Sequence, residues 1–277
     1  MSEFLKPREK RGFWRILPKG GASFLLATAL VAGIQADVEY ADELELVHAR
    51  STELQGETVR VMTANVHGWR GADGSDNMDD LLSAMTDNDV DIACLQEVDI
   101  TEGQLDKLYD SGLNVLYAET ERDGYGNAVI SKSDMELKKN YNLPPADSIR
   151  QRGALLVQIA TKVGEIELLA THVTTKQRYH GAQFGRLGQI AREGNVDEGC
   201  GDLNEDLETI AQTTLGEYFS ESIASHPRRG NTFPADNPNR SIDFVFSTCQ
   251  EQGEPALVWL NSDHLGVIHE LVLAGCE

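Results

Sequence analysis

The chain has 277 residues, enough for one large α/β domain or two small ones, and its 40% apolar content excludes a globally disordered protein. Its formal net charge is -21, and the first 36 residues hold six basic and two acidic side chains, so the remainder is more acidic still. A body of that sign, with no Lys/Arg run after residue 36, argues against a protein that grips duplex nucleic acid through a basic stripe, although arginines and a metal ion can reverse the sign inside a cleft.

A basic stretch to Lys19 precedes an uncharged run, Gly20 to Ala36, whose apolar heart is Ala22–Ile34. That is the length of a signal-peptide core, and it is short of the about 20 residues of a membrane-spanning helix. Ile34-Gln35-Ala36 offers a small-residue cleavage site and leaves Asp37 first in a mature chain. The alternative is an uncleaved signal anchor. Either way the body is expected outside the cytoplasm, with this segment its only link to a membrane. Residues 37–57 are acidic without a sustained apolar face and read as a leader or linker. A catalytic domain is expected over 58–277.

From Thr58 the pattern is regular. Val59–Ala64 reads as a buried strand. Met78, Leu81, Leu82 and Met85 recur at i, i+3, i+4, i+7, one face of a helix, with Ser75 or Asp76 as its cap. Asp91–Gln96 is a short apolar strand, and a second helix is expected over Glu102–Asp110. From Leu113 strands are expected at Val115–Ala118, Asn127–Ser131, Met135–Asn140, Ala154–Thr161 and Ile166–His172, the last two joined in a hairpin by Lys162–Glu165. Helices are expected over Gln183–Glu193 and Asn204–Leu215. Strands at Ile242–Phe246, Ala256–Leu260 and Gly266–Leu273 close the chain. Many strands, hairpins and few helices argue for a layered α/β architecture whose sheets are mixed or antiparallel rather than purely parallel.

Cys94, Cys200, Cys249 and Cys276 lack the close pairing of a zinc site. Export permits disulfides. Cys249 and Cys276 each follow an expected strand and are the pair anticipated, whereas Cys94 and Cys200 read as core.

Polar residues of a few types recur where apolar runs stop. Asn65 ends VRVMTAN, Glu97 ends DIACLQE, and His172 ends IELLATH. Asp202 and Asn204 follow in VDEGCGDLN, Asp243 opens IDFVF, and Asp263-His264 precede LGVIHELVL. Strand ends beside loops are where a rigid scaffold presents chemistry. Oxygen donors suit Mg²⁺, which keeps several waters and takes one or two carboxylates. An Asp-oriented His suits water activation. His67, His180, His226 and His269 are expected to play no catalytic part, and Trp69 reads equally as pocket lining or core.

At these residues the sequence resembles the endonuclease/exonuclease/phosphatase family. The pieces stand in family order from about Val59 to Leu273: TANVHG, LQEVD, GYGNAVIS, ATHV, GDLNED, RSIDFVF and SDHLGV. The resemblance implies a four-layer α/β sandwich, two mixed sheets packed face to face with helices outside. It implies hydrolysis of a phosphoester with Mg²⁺, or Mn²⁺, at one site. Glu97 would hold the metal, assisted by Asn65, with Asp263 completing its surroundings. His172 would contact the scissile phosphate or protonate the leaving group. Asp202 would position or deprotonate the water, and Asn204 would hold a phosphate oxygen. Asp243 would orient His264 as general base or transition-state stabiliser. Asn127 and Arg152 are candidate substrate contacts. The substrate expected first is that of a nuclease-like phosphodiesterase, ahead of a phospholipid, inositol phosphate or small phosphomonoester. No stable protein partner is expected. A catalytically inactive binding protein of the same fold is the reading from a different class.

Overall fold

The computed structural model describes residues 46–47, 58–99, 103–120, 124–144, 151–161, 164–225 and 230–273. In chain order its elements are β1 (Leu46–Val47), β2 (Thr58–Asn65), α1 (Met78–Asp87), β3 (Ile92–Asp99), α2 (Gln104–Asp110), β4 (Asn114–Glu119), β5 (Tyr125–Ser131), β6 (Met135–Asn142), β7 (Gly153–Thr161), β8 (Gly164–His172), α3 (His180–Gly194), β9 (Glu198–Asp202), α4 (Leu207–Ile210), α5 (Thr214–Tyr218), α6 (Ser220–Ser225), β10 (Asp243–Ser247), β11 (Gln250–Val258) and β12 (Gly266–Val272).

The strands form two mixed sheets, ordered β1-β4-β5-β3-β2-β12-β11 and β10-β9-β8-β7-β6. Their facing sides close one core. Val59, Val61, Ile92, Cys94 and Val129 of the larger sheet meet Leu155, Val157, Leu168, Ala170 and Val245 of the smaller. Helices cover the outer faces. Met78, Leu81 and Met85 of α1 pack on Met62, Ala93 and Leu95. Phe184, Leu187 and Ile190 of α3, with Leu215 of α5, pack on Leu156, Leu169 and Phe244. The result is the expected four-layer α/β sandwich.

Each sheet contains one parallel pair, β2 with β3 and β8 with β9, and every other recorded pairing is antiparallel. Parallel neighbours need a crossover, and α1 and α3 supply it. The carboxyl ends of both parallel pairs are where Asn65, Glu97, His172 and Asp202 sit.

Several expectations change. The helix expected over Asn204–Leu215 is two short helices, because Thr213 stops the first and caps the second by accepting from Gly216 N. The strand β9 was not anticipated. Its sequence, Glu198-Gly199-Cys200-Gly201-Asp202, carries no apolar alternation, yet all five residues are buried. Both glycines are steric necessities: a Cβ on Gly201 would collide with the Thr171 carbonyl and one on Gly199 with the Phe219 ring. Helix α6 was likewise not anticipated, and β11 begins before Ala256. Asn77 holds the cap position of α1, while Asp76 accepts from Met78 N one residue further in. Leu46 and Val47, read as leader, pair with β4.

Cys94 on β3 and Cys200 on β9 are joined in a disulfide, their Cα atoms 6.2 Å apart. That corrects their reading as core thiols. Both side chains are buried, as expected, but the sheets bring their strands face to face across a sequence separation of 106. Cys276 lies outside the described residues, and with it the anticipated Cys249–Cys276 pair. The N-terminal apolar segment also lies outside them. Among the described residues no helix is long and apolar enough to cross a membrane.

Candidate active site

The smaller sheet aligns three candidate side chains by register alone. His172 at the end of β8 lies beside Asp202 at the end of β9, and Asp202 lies beside Asp243 at the start of β10. His172 Nε2 is 3.4 Å from Asp202 Oδ2. Asp202 Oδ1 accepts from the Asn204 backbone N–H at 2.9 Å. That turn puts Asn204 in the left-handed region, φ 52°, where asparagine is among the best tolerated side chains. Its Nδ2 donates to Val173 O at 3.0 Å and lies 3.3 Å from His172 Nε2.

The larger sheet contributes from the other side. Asn65, at the end of β2, donates from Nδ2 to Asp202 Oδ2 at 3.1 Å and accepts the His67 N–H on Oδ1 at 3.1 Å. Glu97 sits where the β3–β5 register slips between Leu95 and Val98, with φ 57°. A left-handed glutamate in a bulge costs on the order of 1–3 kcal/mol and re-aims one side chain. Here the carboxylate faces the site, Oε1 4.0 Å from His172 Nε2.

The loop after β11 closes the site. Ser262 Oγ donates to the Asn65 carbonyl at 2.7 Å and anchors Asp263-His264 against β2. His264 Nδ1 donates to Asp243, 2.9 Å from Oδ2 and 3.1 Å from Oδ1. Its Nε2 points toward Asp202 Oδ2 at 3.9 Å. Asp263 is half-exposed at the lip, 3.7 Å from His67 Nδ1.

Electrostatics follow from burial. Asp202 is fully enclosed, so desolvation disfavours its anion. Asp243 repels it further, and His264 and the Asn65 and Asn204 hydrogen bonds only partly offset this, leaving it raised to about 7. For His264, desolvation opposes the cation, but the charge and hydrogen bond of Asp243, with Asp202 and Asp263 beyond, outweigh it and raise it to about 9. Asp202, Asp243 and His264 each offer a donor atom within 4.8 Å of the others, the one such cluster found among the described residues. Asn65 and Glu97 border it. Two buried carboxylates side by side leave negative charge that a cation would relieve, and oxygen donors are those a hard divalent ion takes.

The two remaining candidates sit deeper. Asn127 is buried and donates to the Gly153 carbonyl at 3.1 Å, tying β5 to β7. Arg152 is buried, its Nη1 3.1 Å from His172 Nδ1. Trp69 belongs to the core, its Nε1 donating to Asp99 O.

Residues not singled out in the sequence complete the rim. Phe233 packs on the His264 ring, centroids 4.7 Å apart. Arg240 lies over Phe233 and donates to the Asn204 carbonyl at 3.5 Å. His180, set aside as non-catalytic, is a buried brace: Nδ1 meets Glu205 Oε2 at 2.9 Å and Nε2 meets Thr174 O at 2.6 Å. The residue next to Asn204 in GDLNED was the available signal for that brace.

Solved structures share this arrangement of sheets. A protein titled endonuclease/exonuclease/phosphatase from Beutenbergia cavernae superposes with a TM-score of 0.60 at 22% identity, covering 78% of this chain and 72% of that one. Truncated Caenorhabditis elegans TDP2 gives 0.59 at 20% identity, covering 79% and 99%. The human Nocturnin catalytic domain, solved with a bound sulfate anion, gives 0.54 at 18% identity, covering 82% and 96%. At such identities the likeness concerns the fold. No curated protein sequence matches the chain. The model of the Endonuclease/Exonuclease/phosphatase family matches residues 62–264, a span that runs from β2 to His264 and takes in every candidate site residue. The chain belongs to the Endonuclease/Exonuclease/phosphatase family.

Proposed function

We propose that this protein is an exported, Mg²⁺-dependent phosphoester hydrolase acting first on phosphodiesters. The observation that carries the reading is the continuous row His172–Asp202–Asp243–His264, completed by Asn65 and Glu97 from the opposite sheet. Asn65 and Glu97 would hold the ion, with Asp263 at the lip, and Mg²⁺ would supply Lewis-acid neutralisation of phosphate charge. Mn²⁺ suits the same oxygen donors.

The chain's own groups divide the remaining work. Asp202, raised to about 7, is a carboxylate poised near neutral pH to take a proton from the attacking water. His264, raised to about 9, enters the reaction as an imidazolium held by Asp243, so it stabilises charge on the phosphate rather than acting as the base. Asn204 and His172 present N–H groups to the remaining phosphate oxygens.

Export is supported by the basic and apolar N-terminal sequence and by the Cys94–Cys200 disulfide, which suits an oxidising compartment. A phosphodiester substrate is supported by Arg240 and Phe233 at the rim, a cation and an aromatic face beside the site in an otherwise acidic protein.

The test is hydrolysis by the full-length protein with Mg²⁺, Mn²⁺ or EDTA, on plasmid DNA, bis-p-nitrophenyl phosphate, p-nitrophenyl phosphate and sphingomyelin. We expect metal-dependent diester cleavage that His264→Ala abolishes. Cleavage of the monoester or the lipid alone would move the substrate to the phosphatase or phospholipid class. A protein inert on the whole panel would sink the enzymatic reading.

A further inference from the structure

The two site histidines have opposite partners at the same ring nitrogen. His264 Nδ1 faces a carboxylate, which only accepts, so that nitrogen carries a hydrogen. His172 Nδ1 faces the Arg152 guanidinium at 3.1 Å, with both side chains buried. A guanidinium has five N–H donors, no acceptor, and stays charged in proteins. The ring nitrogen it meets must therefore offer its lone pair. We infer that Arg152 is a positioning residue that fixes His172 as the Nε2–H tautomer, making it a hydrogen-bond donor to the scissile phosphate rather than a proton-transfer group.

The surroundings of Nε2 agree. Among the described residues its neighbours include Asp202 Oδ2 at 3.4 Å, Glu97 Oε1 at 4.0 Å and Asn204 Nδ2 at 3.3 Å. Asp202 Oδ2 lies within reach of a hydrogen on Nε2, and Asn204 Nδ2 directs one of its two hydrogens to Val173 O. An Nε2 lone pair at this point would face two carboxyl groups. The hydrogen on Nε2 thus points into the space where the site gathers its donors. The tautomer rests on the contact with Arg152, a charged donor at 3.1 Å, against the neutral Asn204 amide at 3.3 Å. The role toward phosphate rests on the hydrolase reading above. It narrows the part of His172, which the sequence left between phosphate contact and leaving-group acid, to the first. It also moves Arg152 from substrate contact to support.

The experiment is long-range ¹H–¹⁵N correlation of the histidine rings in the full-length protein with Mg²⁺, with His172→Gln to assign the signals. Wild type is expected to show Nδ1 of His172 as unprotonated and Nε2 as protonated. Arg152→Lys, still a donor-only cation, is expected to keep that pattern, and Arg152→Met to lose it. In parallel, Arg152→Met is expected to lower kcat on bis-p-nitrophenyl phosphate about 10- to 100-fold, as the loss of a supporting partner does. KM should change little, and Arg152→Lys should recover most of the rate. A protonated Nδ1 in the wild type overturns the inference, whether or not any variant folds. So does a raised KM in Arg152→Met with the tautomer unchanged, because Arg152 would then touch substrate itself. A protein inactive on the whole panel would defeat the hydrolase reading while the ring spectrum still decides the tautomer.

Discussion

The two sheets supply the same site by different physical means. In the smaller sheet, His172, Asp202 and Asp243 need nothing but register: three adjacent strand ends in a hydrogen-bonded ladder put them side by side. In the larger sheet Asn65 ends a regular strand, but Glu97, Asp263 and His264 sit where regularity is broken. Glu97 occupies a bulge with a left-handed backbone, and Asp263-His264 ride a loop pinned to β2 by Ser262. Of the seven non-glycine residues with positive φ among the described residues, His67, Trp69, Glu97, Asn204 and Asn261 lie in or beside the site loops. Strain tolerated at such positions marks where the fold gives up local stability for placement. The smaller sheet therefore places His172, Asp202 and Asp243 by register, and the larger one carries Glu97, the group proposed to meet the metal, on a bulge.

That division is broken most directly at the hub. Asp202 accepts from Asn65 and Asn204 and adjoins both histidines. Asp202→Asn should lower kcat by about 10²–10⁴, the range for loss of a general base, with metal affinity far less affected. Glu97→Gln tests the other side. It should raise the Mg²⁺ concentration needed for half-maximal activity by about 10- to 100-fold, with much of the rate restored at saturating metal. If the two variants showed the same pattern, the sheets would not be divided in this way.

The disulfide sharpens the comparison because it joins the two sheets directly below their functional ends. Cys94 is three residues from Glu97, and Cys200 is two from Asp202. Closing a loop of that length contributes about 4–5 kcal/mol in the chain-entropy model. The Cys94→Ser/Cys200→Ser double variant should lose most of that in denaturant melts. Each half of the site is held by its own ladder, so activity well below the melting temperature should stay within a fewfold of wild type. A large loss of activity in a folded variant would show that the staple, and not the sheets, sets the separation of the halves.

How much of this could be read beforehand divides along the same line. Strands that alternate or run apolar, such as Val59–Ala64 and Ala154–Thr161, were visible in the sequence, and so were α1 and α3 with their spaced apolar faces. Strand β9 was hidden, since Gly199 and Gly201 are dictated by neighbours distant in sequence, Phe219 and Thr171. The candidate site residues are legible as types at strand ends. Their partnerships were not: the Arg152–His172 contact spans 20 residues, the disulfide 106, and the left-handed turn of Glu97 leaves no mark in its letter.

The smallest effect expected is on stability, and its sign follows from the shifted groups. His264 is raised from 6.5 to about 9, so its pairing stabilises the fold fully below about pH 6.5 and is lost as pH climbs through 9. Asp202 is raised from 3.8 to about 7, so the native state favours its protonated form, and that advantage disappears as pH rises through 7. Both act in one direction. In EDTA the melting temperature should fall between pH 6 and pH 9. Asp243→Asn removes the main cause of the His264 shift and part of that at Asp202, and should flatten the curve most above pH 7. Mg²⁺ should raise the melting temperature more at pH 8 than at pH 5, because a cation held by Glu97 and Asn65 is repelled less by the neighbouring site when Asp202 has lost its proton. Parallel curves for wild type and Asp243→Asn would mean that the row of the smaller sheet does not share its charge, and the rigid half of the site would then be a set of neighbours rather than a unit.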